Sequence, residues 1–404
     1  MYSRINKELI RNFLTVRYDP KSKPLATPAK WRDFRVTSSD PRSITSERLL
    51  HKSIEKKLPG TDTVTISLSS GIDSTLCLAL VRKYFPKRKI VAICAVFKEG
   101  FDESKRAHMI AKKFDAEFRV VYVDSIFTRM PELVAIVKKP RWNTYHHIVA
   151  REAKKFGNYL VTGDGADELF GGYTFRYNKF INLLRRNDTW KTKVINYLEC
   201  HNRDWVADQK ELFGSSIRFD WSIIHNYFKP YFSNSLEPLQ QVMLADYNGK
   251  LLYDFIPSGK SISEHYQIHG APIFLDEELT RFVLSLPLSQ KYDSKSQRGK
   301  IILRNMAKRL GVDHIEEKRG FSPDLLLDWN SHGRKVCESY IMEKDSCIFK
   351  KKLINYNWVL RAFERIEDDG DVRYLNRLIS ILALEIWYRI FISKDMNSQM
   401  KLKY

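Results

Sequence analysis

The stretch VTISLSSGIDSTLCLALVRKY (64–84) decides the fold. Its first five residues, VTISL, are β-branched and aliphatic and read as a short buried strand. SSGIDS (69–74) reads as a tight loop, and the aliphatic run from about Ser74 to Tyr84 as a helix. The same alternation then recurs. Strand IVAICAV (90–96) leads to helix ESKRAHMIAKKF. Strand FRVVYV (118–123) precedes a less regular span and then helix TYHHIVAREAKKF (144–156). Strand NYLVT (158–162) ends in a glycine-rich loop. Buried strands alternating with amphipathic helices predict an α/β fold with a doubly wound parallel sheet, and ligands at the C-terminal strand ends.

Upstream, SERLLHKSIEKKL reads as a helix ending at Pro59-Gly60. Residues 1–45 read as an irregular basic leader and 46–182 as the α/β core. From 183 to 404 the chain turns to long helical segments rich in Trp, Tyr and Leu, so a mainly helical part is expected there.

The chain has 404 residues, 43% hydrophobic and 13% aromatic, which excludes a disordered polymer. The most apolar stretch, Leu378 to Ile392, is interrupted by Glu385 and Arg389, so no membrane span is expected. MYSRINKELIRNFL at the N-terminus has no apolar signal core. Five cysteines (Cys77, Cys94, Cys200, Cys337, Cys347) lack CxxC or Cys/His spacing, which points to a reduced, cytoplasmic protein. The formal charge of +20 leaves a nucleic-acid partner open, but the basic residues are spread along the chain with no long basic tract.

Two loops carry the chemistry. In Ser69-Ser70-Gly71-Ile72-Asp73-Ser74 the small residues let backbone N–H groups approach an anion at a helix N-terminus. Asp73 would repel phosphate unless a cation lay between them, which suggests a Mg²⁺-bridged nucleoside triphosphate; the alternative is an ordinary turn capped by Asp73. No GKS or GKT follows, so this is not a Walker loop. The second loop, TGDGADELFGGY (162–173), holds three carboxylates and four glycines at a strand end on the same sheet edge. So much negative charge asks for a cation. Asp73 and Asp167 could supply two hard oxygen ligands to Mg²⁺.

SSGIDS together with GDGADELFGGY resembles the ATP-pyrophosphatase (synthetase) domain of the asparagine synthetase family, of adenine nucleotide α-hydrolase-like fold. Phe101-Asp102-Glu103-Ser104, Lys300-Ile301-Ile302-Leu303-Arg304, Lys318-Arg319-Gly320-Phe321 and Leu384-Glu385-Ile386-Trp387 are similar to further segments of that family, so the resemblance covers about residues 46–393. It implies that Leu68, Val96, Thr162 and Gly163 line the ATP purine and ribose pocket. Ser69, Gly71 and Ser74 would hold pyrophosphate, and Asp73 and Asp167 the Mg²⁺. Lys300 and Lys318 would neutralise the leaving pyrophosphate, and Asp164 would stand near the incoming amine as a general base.

Three departures accompany the resemblance. Ser70 replaces a glycine of the usual first motif. GAPIFLDEEL (270–279) keeps Phe274-Leu275-Asp276 but lacks the Glu and Arg that usually precede them. Complete members begin with a glutaminase domain whose N-terminal Cys is the nucleophile, whereas Tyr2 follows Met1 here and about 60 residues precede the first motif. The expected activity is AMP-forming amide synthesis from a small carboxylate, aspartate by default, with nitrogen from ammonia, from a separate glutaminase partner, or from another amine. The alternatives are ring or peptide amide closure of the β-lactam synthetase type, tRNA-base adenylation, and a non-enzymatic nucleotide-binding scaffold.

Overall fold

The computed structural model describes residues 6–60, 62–143, 145–201, 203–312 and 323–403. Five parallel strands build the sheet: β1 Thr63–Ser67, β2 Lys89–Phe97, β3 Glu117–Val123, β4 Tyr159–Thr162 and β5 His269–Pro272, in the order β3-β2-β1-β4-β5. Central β1 pairs Thr65 with Val91 on one side and Leu160 on the other, and the Thr65 hydroxyl donates to the Tyr159 carbonyl at 2.6 Å. Val64 and Ile66 are fully buried, as expected of a strand covered on both faces.

The helices used below are, in chain order, α1 Lys7–Val16, α2 Ile44–Lys57, α3 Ile72–Tyr84, α4 Ser104–Lys113, α5 Met130–Val137, α6 His146–Ala153, α7 Ala166–Phe170, α8 Ile256–Tyr266, α9 Ile301–Arg309 and α10 Val372–Tyr388. The chain winds outward from β1 through β2 to β3, then returns to place β4 on the other flank of β1. Such a reversal leaves a crevice at the carboxyl ends of the two strands where it occurs. The loops after β1 and β4, those singled out from sequence, emerge there.

Four strands and the helices between them follow the sequence reading closely. The fifth strand does not: β5 comes from the part expected to be mainly helical. His269-Gly270-Ala271-Pro272 is too short for a legible alternation and contains both residues that weaken strands. It is tolerated because β5 lies at the sheet edge, where a missing N–H costs no ladder bond. The less regular span before Tyr145 contains α5, with Pro131 in its first turn.

Residues 1–45 are also more ordered than expected. The Asn6 side chain accepts from the N–H groups of Glu8 and Leu9, capping α1, whose Ile10, Phe13 and Leu14 are buried. The Arg377 guanidinium of α10 donates to the Thr15 carbonyl at 3.1 Å, docking this segment on the C-terminal part. In α10 the charge that interrupts the apolar run has a structural use. Fully buried Glu385 accepts from the N–H groups of Cys347 and Ile348 and caps the turn that starts there. Among the described residues no helix is long and apolar enough to cross a membrane, and all five cysteines are free thiols.

Candidate active site

After β1 the chain folds on itself before entering α3. The Ser69 N–H donates to Ser74 Oγ at 3.0 Å, the two hydroxyls lie 2.8 Å apart, and the Gly71 N–H donates to Ser69 Oγ at 3.2 Å. The three residues expected around a pyrophosphate thus share one hydrogen-bonded turn at a helix N-terminus. Gly71 caps that helix with no side chain, which leaves its first N–H groups open to an anion.

The loop after β4 packs against this turn. A Cβ on Gly163 would come within 2.9 Å of the Asp73 Cβ, so the two loops touch backbone to side chain. Gly165 adopts a left-handed φ of +89°, which turns the chain into α7. Thr162 Oγ1 donates to Asp164 Oδ2 at 2.8 Å and fixes that carboxylate beside the strand end.

Lys300 closes the site from a third direction. It precedes α9 with φ +57°, anchored by its N–H on the Phe170 carbonyl at 3.0 Å. Its ammonium lies 2.6 and 2.7 Å from the two Asp73 oxygens and 2.6 Å from Asp167 Oδ1. A Cβ on Gly172 would stand 2.0 Å from Asp167 Oδ1 and 2.4 Å from Lys300 Cε, so only glycine fits there. Asp73, Asp167 and Lys300, distant in sequence, thus form one compact ionic cluster. A protein cation already sits between the two carboxylates. Two hard anionic oxygen donors converging on one point suit a divalent cation, so Asp73 and Asp167 fit the metal role expected of them.

Two further arrangements were not expected. Ser70 donates to Glu103 Oε2 twice, from its N–H at 2.8 Å and its hydroxyl at 2.6 Å, tying the first loop to the start of α4. The hydroxyl that departs from the family glycine therefore has a partner. Next to Asp167, Glu168 is buried and receives the Tyr173 hydroxyl. Burial, and the Asp167 charge after it, push the Glu168 carboxyl up to about 7. The Arg176 guanidinium stacks 3.7 Å from the Tyr173 ring centroid and pairs with Asp246 at 2.8 Å.

The model of the family described as asparagine synthase matches residues 45–389. The chain belongs to the asparagine synthase family. It is 37% identical over 388 residues to putative glutamine-hydrolyzing asparagine synthetases of Mycobacterium tuberculosis and Mycobacterium bovis, an overlap covering 87% of this chain and 58% of each relative. Against asparagine synthetase 1 of Bacillus subtilis the identity is 22%, over 81% of this chain and 56% of the relative. The chain thus spans somewhat over half the length of these curated relatives. An NH3-dependent NAD synthetase structure from Campylobacter jejuni overlaps 52% of this chain and 99% of its own at 12% identity with a TM-score of 0.23, so the α/β assignment rests on the strand order itself.

Within this asparagine synthase fold the sequence-derived residues occupy three places. Ser69, Gly71, Asp73 and Ser74 share the first turn, facing Thr162, Gly163, Asp164, Asp167 and Lys300. Leu68 and Val96 lie buried at the ends of β1 and β2. Lys318 lies outside the described residues. A cavity of about 1190 Å³ opens on the β4–β5 flank, with Thr162, Asp164, Asp167 and Lys300 along one edge and α8 and β5 forming another wall. Its size is not legible from sequence, since that wall comes from the unexpected fifth strand.

Proposed function

We propose that this chain is an ATP-dependent amide-forming synthetase, which activates a carboxylate as its adenylate and transfers the acyl group to nitrogen with release of AMP and pyrophosphate. The observation that carries the reading is the convergence of Asp73, Asp167 and Lys300 on one point between two glycine-rich loops. The turn of Ser69, Gly71 and Ser74 surrounds the phosphates with N–H and hydroxyl donors. Leu68 and Val96, with Thr162 and Gly163, take the purine and ribose. Mg²⁺, held by Asp73 and Asp167, would neutralise phosphate charge. Lys300 transfers its charge from the two aspartates to the departing pyrophosphate, where a pre-organised cation acts most strongly on the rate. Lys318 is assigned the same task by its motif alone. Asp164, oriented by the Thr162 hydroxyl, accepts the proton that the attacking nitrogen must lose.

Aspartate and ammonia are the default substrate pair by analogy with the family. The matched relatives carry glutamine hydrolysis in their names, and a glutaminase activity supplying this site from the same or a separate polypeptide fits the reading equally. The test is ATP/pyrophosphate exchange with a panel of carboxylic acids, with MgATP binding measured in parallel. Acid-dependent exchange is expected. Binding of MgATP without exchange for any acid would overturn adenylation as the reaction.

A further inference from the structure

The cavity beside the ionic cluster is much larger than aspartate requires. Clefts for drug-sized ligands run to roughly 300–1,000 Å³, whereas this one holds about 1190 Å³. Of the four residues assigned to the purine and ribose, Thr162 lines it at one edge while Leu68, Val96 and Gly163 do not, so most of its wall lies beyond them.

The wall on the β4–β5 flank has a consistent chemistry. Phe255, Ile256 and Ile262 supply apolar surface, and Ser263 and Gln267 add neutral hydrogen-bonding groups. Arg298 and Arg304 line the cavity beside Lys300, at the end where a carboxylate would be activated, and the cations of this opposite wall face carboxylates. Arg141 is buried against the Asp254 carboxylate, and Lys260 faces Glu264 at 3.7 Å. An acid as small as aspartate would leave most of the apolar surface of this wall uncovered. The strand that replaces the family's charged Glu and Arg segment is β5, whose exposed His269 and Gly270 line the cavity. That strand has β4 on one side and no strand on the other. The open edge is short: the His269 N–H turns inward to the Asn158 carbonyl and Pro272 has no N–H, so Gly270 is the residue placed to bond an extended backbone, while the apolar and amide-bearing walls take its side chains. Gly259 adds to the opening. It sits inside α8, where glycine is a poor helix former, and a Cβ there would meet nothing within 4 Å.

From these observations we infer that the activated acid is a short, largely apolar peptide, its body lying in the cavity along β5 and its carboxylate presented at Asp167 and Lys300. This rests on the synthetase reading above. One carboxylate oxygen of the peptide forms a bond to the α-phosphorus of ATP as the bond to pyrophosphate breaks. The nitrogen of an amine then bonds to the acyl carbon, the bond from that carbon to the AMP oxygen breaks, and the amine proton passes to Asp164.

The experiment compares ATP/pyrophosphate exchange driven by aspartate with that driven by pools of blocked apolar pentapeptides. Each peptide carries one carboxylate, on an aspartyl or glutamyl side chain or at the C-terminus. MgATP binding is measured on the same samples, and the variant Gly259→Trp is run beside the unmodified protein. A peptide pool is expected to drive exchange at least tenfold faster than aspartate, and Gly259→Trp to remove most of that advantage while MgATP still binds. Exchange with aspartate equal to or faster than every pool overturns the peptide assignment and leaves the synthetase reading standing. Exchange with no acid at all overturns both.

Discussion

The Lys300 ammonium stands 2.6 Å from Asp167 Oδ1 and 2.6 Å from the nearer Asp73 oxygen, joining the loops that end β1 and β4 through one cation. All three side chains are largely buried. Two carboxylates at this separation repel unless a positive charge lies between them. Lys300 supplies that positive charge, and the proposed Mg²⁺ would have to share or take over the same two carboxylates. Lys300→Met should leave the aspartates facing each other without a cation. The variant should melt several degrees below the unmodified protein, since breaking a buried pair costs roughly 3–5 kcal/mol. Millimolar Mg²⁺ without nucleotide should recover much of that loss, because a ligand that binds only the folded state stabilises it. A melting temperature equally indifferent to Mg²⁺ in both proteins would show that the site between the aspartates is not a metal site.

Asp73→Asn and Asp167→Asn test the same pair from the other side. Each keeps one carboxylate for Lys300, so circular dichroism should remain native. Each removes a hard anionic donor, so exchange should fall by at least about a hundredfold, the scale of losing one pre-organised electrostatic group. Near-normal exchange at ordinary Mg²⁺ in either variant removes that residue from the reaction.

Two glycines should respond oppositely to the same change. Alanine at Gly172 would put its Cβ 2.0 Å from Asp167 Oδ1, forcing the ionic cluster apart, whereas at Gly259 the Cβ would meet nothing within 4 Å. Gly172→Ala should abolish exchange and lower stability. Gly259→Ala should raise stability by up to about 1 kcal/mol, the helix-propensity gain of alanine over glycine. Urea unfolding of both variants gives the comparison, and a destabilised Gly259→Ala would place a further neighbour at that helix face.

Much of this site is legible in the amino-acid sequence. Asp73 and Asp167 sit in loops whose charge makes no sense without a cation, and strand-loop-helix spacing alone puts both loops on one sheet edge. Lys300 stands in a recognisable motif; nothing in that motif says that its ammonium lies between the aspartates, because the contact depends on a left-handed residue 227 positions away from Asp73. The Ser70–Glu103 pair is equally hidden. A serine in place of glycine reads as a mild change until its hydroxyl is found on a carboxylate at the start of the next helix. β5 escapes a reading by periodicity because four residues containing glycine and proline carry none. With it goes the cavity wall, which is a property of packing and not of any motif. Glu168 is visible only as one of three acids, and its burial against Tyr173 separates it from the other two.

The Ser70 hydroxyl and the Glu103 carboxylate should behave as one unit. Ser70→Gly restores the residue typical of the family motif and removes the 2.6 Å hydroxyl bond while keeping the 2.8 Å bond from the N–H. A hydrogen bond to a charged group contributes about 1.5–3 kcal/mol, and partial exposure places this one toward the lower end. Glu103→Gln weakens both bonds. In a double-mutant cycle the two losses should add to clearly more than the double variant's loss. Strict additivity would mean that Ser70 and Glu103 act separately.

Lys291 gives a prediction about pH. Its ammonium is buried at 2% residue exposure, with the Leu284 carbonyl at 3.1 Å as a hydrogen-bond partner and the Phe34 ring centroid 5.5 Å away. Desolvation pushes its pKa down to about 7 from 10.5. Below pH 7 the lysine is charged in both the folded and the unfolded chain, and the folded chain bears the full cost of burying that charge. Between pH 7 and about 10.5 the unfolded chain holds a proton the folded one has lost, so this residue makes stability rise with pH. A shift of this size corresponds to a few kcal/mol, on the order of 5 at most. Lys291→Met keeps the length of the side chain and removes the charge. The variant should therefore be more stable than the unmodified protein at pH 6–7, with the difference shrinking steadily toward pH 10. Urea midpoints at four pH values across that range measure it. A difference between the two proteins that stays constant from pH 6 to pH 10 would show that Lys291 keeps its proton throughout and that a polar partner, not burial, sets its charge state.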